Sequence, residues 1–261
     1  MTKLWFMLLS TLIFSAPLAA QSQFEGTWKL DLASAQFSTK PDQYLLQNGM
    51  YKCKTCVPPI DVKADGSDQK VTGDPYSDTL AVKVVDDHNV EFTSKKGDKV
   101  VGTSKNSVSA DGGMLTVAWT DNSQPQGGTQ TGTFTEKRVA KGPAGAHLIS
   151  GSWHAEKSEA TDAALTWSYK LNGNELSMTN PTGQSFTAKL GGADAPFTGD
   201  PGVTSVSVKM IGKDTLEETH KRNGKVISIS KMTVSADGKS AKNVYQDKLA
   251  GTTASAESHK M

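Results

Sequence analysis

The sequence has few aromatic residues, no excess of charge of either sign and only two cysteines. Aromatic residues make up 7% of the 261 residues, and 28 basic residues are balanced by 27 acidic ones. A chain without a basic excess lacks the electrostatic surface that nucleic acids and anionic membranes attract. We therefore expect no nucleic-acid partner.

The apolar run that opens the chain is short. Lys3 precedes an apolar stretch at residues 4–14, and small residues follow up to Ala20. This order is typical of a secretory signal peptide, and the run is shorter than the roughly 20 residues that span a bilayer. We expect residues 1–20 to be removed, leaving a periplasmic or secreted protein without a membrane anchor.

The two cysteines, Cys53 and Cys56, are three positions apart and are followed by Pro58 and Pro59. In an exported protein such a pair predicts a local disulfide. A redox-active pair is expected at a helix N-terminus, and a zinc site needs more ligands than this pair supplies. Both alternatives stay open, although the prolines favour a loop between strands.

Several motifs that would define an enzyme are missing. The chain has no Gly-x-Ser-x-Gly elbow, no His-Glu-x-x-His and no glycine-rich phosphate loop. These patterns position a nucleophile, a catalytic zinc ion or a nucleotide. We therefore assign no catalytic residue, no metal ligand and no cofactor from motifs.

The chain is an internal duplication. Three short motifs recur in the same order, each 125 or 126 positions further on. Repetition at one spacing indicates two copies of a single structural unit. The pairs are Gly26-Thr27-Trp28 with Gly151-Ser152-Trp153, Thr72-Gly73-Asp74-Pro75 with Thr198-Gly199-Asp200-Pro201, and Val108-Ser109-Ala110-Asp111-Gly112 with Val234-Ser235-Ala236-Asp237-Gly238.

A Gly/Pro/Ala-rich stretch at residues 141–147 separates the two copies. Such a stretch without apolar periodicity is typical of an inter-domain linker. The prediction is one module at residues 21–140 and a second at residues 148–261. We expect each copy to fold by itself.

Each copy has the pattern of an all-β barrel. Residues 79–85 and 206–210 place apolar side chains at every second position, as half-buried antiparallel strands do. Asp-Gly pairs at 65, 111 and 237 and Asn-Gly pairs at 172 and 223 predict tight hairpin turns. About eight short strands per copy predict two tandem antiparallel up-and-down barrels, which leave no exposed edge.

The Gly-x-Trp motif at the start of both copies resembles the first strand of the lipocalin and fatty-acid-binding (calycin) superfamily. In that superfamily the tryptophan closes the barrel base and a basic side chain from the last strand packs over it. The resemblance implies that Trp28 and Trp153 are base residues. It also implies that Arg138 covers Trp28 through a cation–π contact, with His259 or Lys260 in the second copy.

One departure argues against a fatty-acid ligand. Fatty-acid-binding members hold the ligand carboxylate with an Arg-x-Tyr on the last strand. The corresponding segment of the first copy is Thr135-Glu136-Lys137-Arg138, which lacks that pair. The resemblance therefore implies the barrel rather than this particular ligand.

The two copies differ on their predicted inner faces. Phe92 and Val117 of the first copy correspond to Glu218 and Asn243 of the second. Polar groups that point into a barrel must pair or face a cavity, whereas a one-residue register slip would turn them outward. The candidate ligand-binding residues are Trp167, Tyr169, Glu218, His220, Asn243 and Tyr245.

Three functions fit this pattern. The first is an exported tandem barrel that binds a small apolar or amphipathic ligand. The alternative is a structural or interaction protein of the cell envelope with side-chain-filled barrels. The third is an enzyme that uses Glu218 and His220 as an acid–base pair.

Overall fold

The computed structural model describes residues 22–124 and 128–261. The predicted signal peptide, residues 1–20, lies outside the described residues. Within the described part, no helix has the length and hydropathy needed to span a membrane. The predicted all-β class is confirmed, because strands make up 63% of the structure and helix only 3%.

Each copy contains ten strands rather than the expected eight. The first copy contributes β1 (Gly26–Gln36), β2 (Asp42–Gln47), β3 (Met50–Cys53), β4 (Ile60–Lys63), β5 (Asp65–Lys70), β6 (Thr79–Val84), β7 (Asn89–Lys96), β8 (Lys99–Val108), β9 (Met114–Asp121) and β10 (Gln130–Lys141). The second contributes β11 (Gly151–Ala160), a one-turn helix α1 (Asp162–Leu165), β12 (Thr166–Asn172), β13 (Glu175–Thr179), β14 (Ser185–Lys189), β15 (Ala195–Thr198), β16 (Ser205–Ile211), β17 (Thr215–Arg222), β18 (Lys225–Val234), β19 (Ser240–Asp247) and β20 (Thr252–Lys260).

The two copies exchange their first strands. Strand β1 pairs with β12 and β20 and closes a ten-stranded barrel with β12–β20, which we call the C-terminal barrel. Strand β11 pairs with β2 and β10 in the other ten-stranded sheet, which we call the N-terminal barrel. This differs from the expectation that each copy folds by itself, because each barrel is completed by one strand of the other repeat.

The linker explains the exchange. Residues 142–150 form a compact turn in which the amide of Gly142 donates to the carbonyl of Ser150 at 3.1 Å. The turn places Gly151 directly opposite Lys141, so β11 returns along β10 as an antiparallel neighbour. A short connection loses little loop entropy, and β11 therefore occupies the edge that β1 would otherwise fill. Strand β1 takes the equivalent place beside β20.

The tryptophans of the Gly-x-Trp motifs belong to the two hydrophobic cores. Trp28 and Trp153 are both 0% exposed. The indole N–H of Trp28 donates to the carbonyl of Phe24 at 2.8 Å, and that of Trp153 donates to Ile149 at 2.9 Å. Their polar atoms are thus satisfied, as deeply buried indoles require.

The strand exchange changes which cation covers which tryptophan. The expectation that Arg138 covers Trp28 is wrong, because its guanidinium lies 3.9 Å from the ring centroid of Trp153. Trp28 is covered by Lys260, whose ammonium lies 4.9 Å from the ring centroid, and not by the exposed His259. In both barrels a basic residue covers the motif tryptophan, but the basic residue and the tryptophan come from different repeats.

The barrels differ at one joint. In the C-terminal barrel β14 pairs with β15, and the rings of Phe186 and Phe197 lie 5.9 Å apart across this joint. The equivalent positions, Ile60 and Val71, are smaller, and the N-terminal sheet is open between β4 and β5. A cleft of about 480 Å³ lies at this opening, and Ile60 and Val71 line it.

Of two predicted tight turns, one is present and the other is not. Asn223 and Gly224 form the predicted tight turn between β17 and β18, both with positive φ (51° and 80°). The predicted turn at Asp65-Gly66 is wrong, since both residues belong to β5. The pairing register of β5 shifts between Asp65 and Asp68, so the glycine serves an irregularity in the strand.

The predicted cysteine pair is present as a local cross-link. The sulfur atoms of Cys53 and Cys56 lie 2.08 Å apart and the Cα atoms 5.4 Å apart. Cys53 is the last residue of β3, and Cys56 lines the cleft at the open joint. The pair therefore lies beside the opening of the N-terminal barrel.

Candidate functional site

A cavity of about 230 Å³ lies within the C-terminal barrel. Five of the six candidate residues line it, namely Trp167, Tyr169, Glu218, Asn243 and Tyr245. Tyr245 is 47% exposed, the most exposed of the lining residues, so it marks the mouth. Apolar wall is supplied by Met178, Leu216 and Met232.

Strand alternation carries Glu218 into the barrel. Its neighbour Glu217 lies on the opposite face of β17 and forms ion pairs with Lys209 at 2.9 Å and Lys231 at 3.0 Å. Glu218 is only 7% exposed and follows Leu216 on the inner face. The strand therefore carries one carboxylate that is paired outside and one that faces the cavity.

Glu218 is held by two side chains. The hydroxyl of Tyr169 donates to Oε1 at 2.5 Å, and Nε2 of His220 lies 3.3 Å from Oε2. Burial and the charge of Glu218 raise the pKa of Tyr169 well above its ordinary value, so the phenol stays protonated as a donor. The carboxylate is thereby fixed in position.

His220 stands behind Glu218 and is not among the lining residues of the cavity. Its Nδ1 lies 3.4 Å from Oγ of Ser228, and its ring makes an edge contact with Phe197. His220 thus links Ser228 of β18 to Glu218 of β17 and lies on the inner side of the sheet against Phe197. Its role as a ligand-binding residue stays a prediction.

Two further polar groups lie in the wall. The amide Nδ2 of Asn243 donates to Oγ of Ser258 at 2.9 Å, which ties β19 to β20. The indole N–H of Trp167 is buried and has no hydrogen-bond partner among the described residues. A buried donor without a partner costs free energy.

The N-terminal barrel buries a carboxyl group that the sequence analysis missed. Glu136 of β10 is 1% exposed and faces Tyr44 and Asp42. Burial and the charge of Asp42 raise the pKa of Glu136 to about 8. Period-two spacing from Phe134 would have placed Glu136 on the inner face.

A larger concavity lies on the outside of the N-terminal barrel. It has a volume of about 780 Å³ and crosses β7–β11. Threonines at equivalent positions of neighbouring strands, including Thr93, Thr103, Thr120 and Thr131, form a row along it. Outward threonines are common on sheets, and the groove is open to water, so it carries less functional information than the cavity.

The fold and the cavity define a tandem, strand-exchanged antiparallel β-barrel protein. No protein-family model matches the chain, and no curated protein matches it either. In the described residues, no group of three or more His, Cys, Asp or Glu side chains is arranged to hold a metal ion.

Proposed function

We propose that the C-terminal barrel binds one small amphipathic molecule in its cavity. The observation that carries the proposal is a cavity with apolar and aromatic walls that also holds a fixed, buried carboxylate, Glu218. Small-molecule sites combine such walls with a few oriented polar groups.

Comparison of the copies explains how the space arises. Phe92 and Trp119 of the N-terminal barrel are replaced by the smaller Glu218 and Tyr245, which line the cavity of the C-terminal barrel. Smaller side chains on an inner face leave volume that destabilises the fold if nothing fills it. A bound ligand would offset this cost, which supports binding over a structural role alone.

The barrel itself supports a calycin-type relationship. In both barrels a Gly-x-Trp motif opens a strand, and a cation covers the tryptophan. Gly151 has a φ of +141°, and a side chain there would collide with the carbonyl of Ala140, so glycine is required. The tryptophan of the motif therefore has the same structural role in both barrels.

We also propose that the protein acts in the periplasm or outside the cell. The disulfide of Cys53 and Cys56 suits an oxidising compartment, and residues 1–20 have the pattern of a signal peptide. N-terminal sequencing of the protein from its host should begin near Gln21. A chain that retains Lys3 and stays in the cytoplasm would contradict export.

Ligand binding is testable with neutral probes and a matched pair of variants. Full-length protein is titrated with indole and 2-phenylethanol by calorimetry. Ser230→Leu places a larger side chain in the cavity wall, and Ser104→Leu makes the same change at the equivalent position of the N-terminal barrel. We expect saturable binding that Ser230→Leu weakens at least about tenfold, or about 1.4 kcal/mol.

The control variant Ser104→Leu should bind as the wild type does. Circular dichroism confirms that both variants are folded. Absence of binding by these probes and by charged probes of the same size, or equal loss in both variants, would contradict the proposal. The structural alternative would then gain support.

A further inference from the structure

We infer that the ligand of the C-terminal barrel carries a positive charge, as a protonated amine on a small apolar body. This inference rests on the proposed binding function and names the ligand's chemical class. It departs from a fatty-acid ligand, which would bring a negative charge into the barrel.

The first step is the charge inside the cavity. Glu218 and Lys231 are the charged residues among those lining it. Lys231 directs its ammonium to Glu217 on the opposite face of the sheet, 3.0 Å away. The charge that the wall presents to the cavity is therefore the carboxylate of Glu218.

The second step is that the neighbours of Glu218 hold it in position. Tyr169 donates a neutral hydroxyl to one oxygen. His220 contacts the other oxygen through Nε2, and its Nδ1 lies beside the hydroxyl of Ser228. The carboxyl group therefore has a fixed position in the cavity wall.

The third step is the surrounding surface. Trp167, Tyr169 and Tyr245 present aromatic side chains to the same cavity, and Met178 adds a thioether. Aromatic faces attract cations, most strongly where water is excluded. An ammonium group beside Glu218 would gain both interactions, whereas a carboxylate there would be repelled.

The test compares three probes of similar size and different charge. Full-length protein is titrated near neutral pH with 2-phenylethylamine, 2-phenylethanol and 3-phenylpropanoate. We expect the amine to bind at least about tenfold more tightly than the alcohol, or about 1.4 kcal/mol. The carboxylate should bind most weakly.

A matched pair of variants assigns the preference to one residue. Glu218→Gln should make the amine and the alcohol bind equally, because the amide keeps the shape but loses the charge. Glu175→Gln removes an exposed carboxylate of the same barrel that does not line the cavity, and it should keep the preference. If Glu218→Gln does not fold, N-acetyl-2-phenylethylamine with the wild type provides the uncharged comparison.

The outcomes separate this inference from the proposed function. An alcohol that binds as tightly as the amine would overturn the charge assignment and leave ligand binding intact. A preference for the amine that survives Glu218→Gln would also overturn the role of Glu218. Failure of all three probes to bind would overturn both proposals.

Discussion

The two barrels share a tyrosine but bury different carboxyl groups beside it. Tyr44 lies opposite Gly151 in the N-terminal barrel, and Tyr169 lies opposite Gly26 in the C-terminal barrel. The carboxyl group comes from Glu136 on β10 in the first case and from Glu218 on β17 in the second. The duplicated scaffold thus accepts one interior acid at either of two places.

The position of each buried carboxyl group determines which groups surround it. Glu136 faces Asp42, and its pKa of about 8 makes it largely neutral at neutral pH. Glu218 faces His220 and a cavity instead of a second carboxyl group. The surroundings of Glu136 suit a buried structural group, whereas those of Glu218 suit a group that contacts a ligand.

Replacement of either motif tryptophan should give the largest loss of stability, and each replacement should affect a different barrel. Trp28→Ala or Trp153→Ala should each cost about 3–5 kcal/mol of unfolding free energy, because both side chains are fully buried. The exchange predicts where the damage appears. Trp28→Ala should expose amides of β12–β20, and Trp153→Ala should expose amides of β2–β10, in hydrogen exchange measured by mass spectrometry.

Each tryptophan variant is the control of the other. If Trp28→Ala instead exposed β2–β10, the first strand would belong to its own repeat. The strand exchange would then be wrong in solution.

A pH titration sharpens the difference between the two acids. The pKa of Glu136 is raised from 4.5 to about 8, so between these values the native state holds a proton that the unfolded chain has released. The unfolding free energy should therefore fall as pH rises, by about 1.4 kcal/mol per pH unit and on the order of 3 kcal/mol from pH 5 to pH 7.5.

Glu136→Gln should remove this slope, because the amide does not titrate. Urea denaturation across the pH range measures it, with Glu217→Gln as the variant that keeps the slope. Identical pH profiles for the wild type and Glu136→Gln would show that Glu136 has an ordinary pKa in the folded protein.

Local patterns predicted much of this structure. Alternation along β17 placed Glu218 inward, and the Asn223-Gly224 pair marked a tight turn, as observed. The expectation of about eight strands per copy fell short of ten, and the turn expected at Asp65-Gly66 lies within β5. Glu136 follows Phe134 by two positions on β10, but no motif marks it as a buried acid.

The strand exchange has no local signal. Both repeats begin with the same Gly-x-Trp pattern, so β1 and β11 offer similar pairing edges and similar tryptophans to either barrel. The choice depends on the turn that returns β11 along β10, a property of residues 142–150 rather than of the strands. The residue pattern within a strand predicts which side chains point inward, but it does not predict which strand pairs with it.

The two copies also contact each other through turns at equivalent positions of the repeat. Asp74 and Asp200 each accept an amide two residues on, from Tyr76 and Gly202 respectively. The two turns meet, because the hydroxyl of Tyr76 donates to Oδ1 of Asp200 at 2.9 Å. Tyr76 and Gly202 occupy the same place in the repeat, and a Cβ on Gly202 would collide with the Tyr76 hydroxyl. The first copy therefore contributes the tyrosine ring, and the glycine of the second copy leaves the space that the ring occupies.

Tyr76→Phe should cost about 1 kcal/mol through the lost hydrogen bond, and Gly202→Ala should cost about 1–2 kcal/mol by displacing the ring. In a Tyr76→Ala background the Gly202→Ala change should cost less, because the collision with the Tyr76 ring is removed and only Oδ1 of Asp200, 3.1 Å from the new Cβ, remains close. A double-mutant cycle by urea denaturation measures this coupling. Additive losses would mean that the turns do not touch in solution, and the barrels would then be joined by the exchanged strands without this contact.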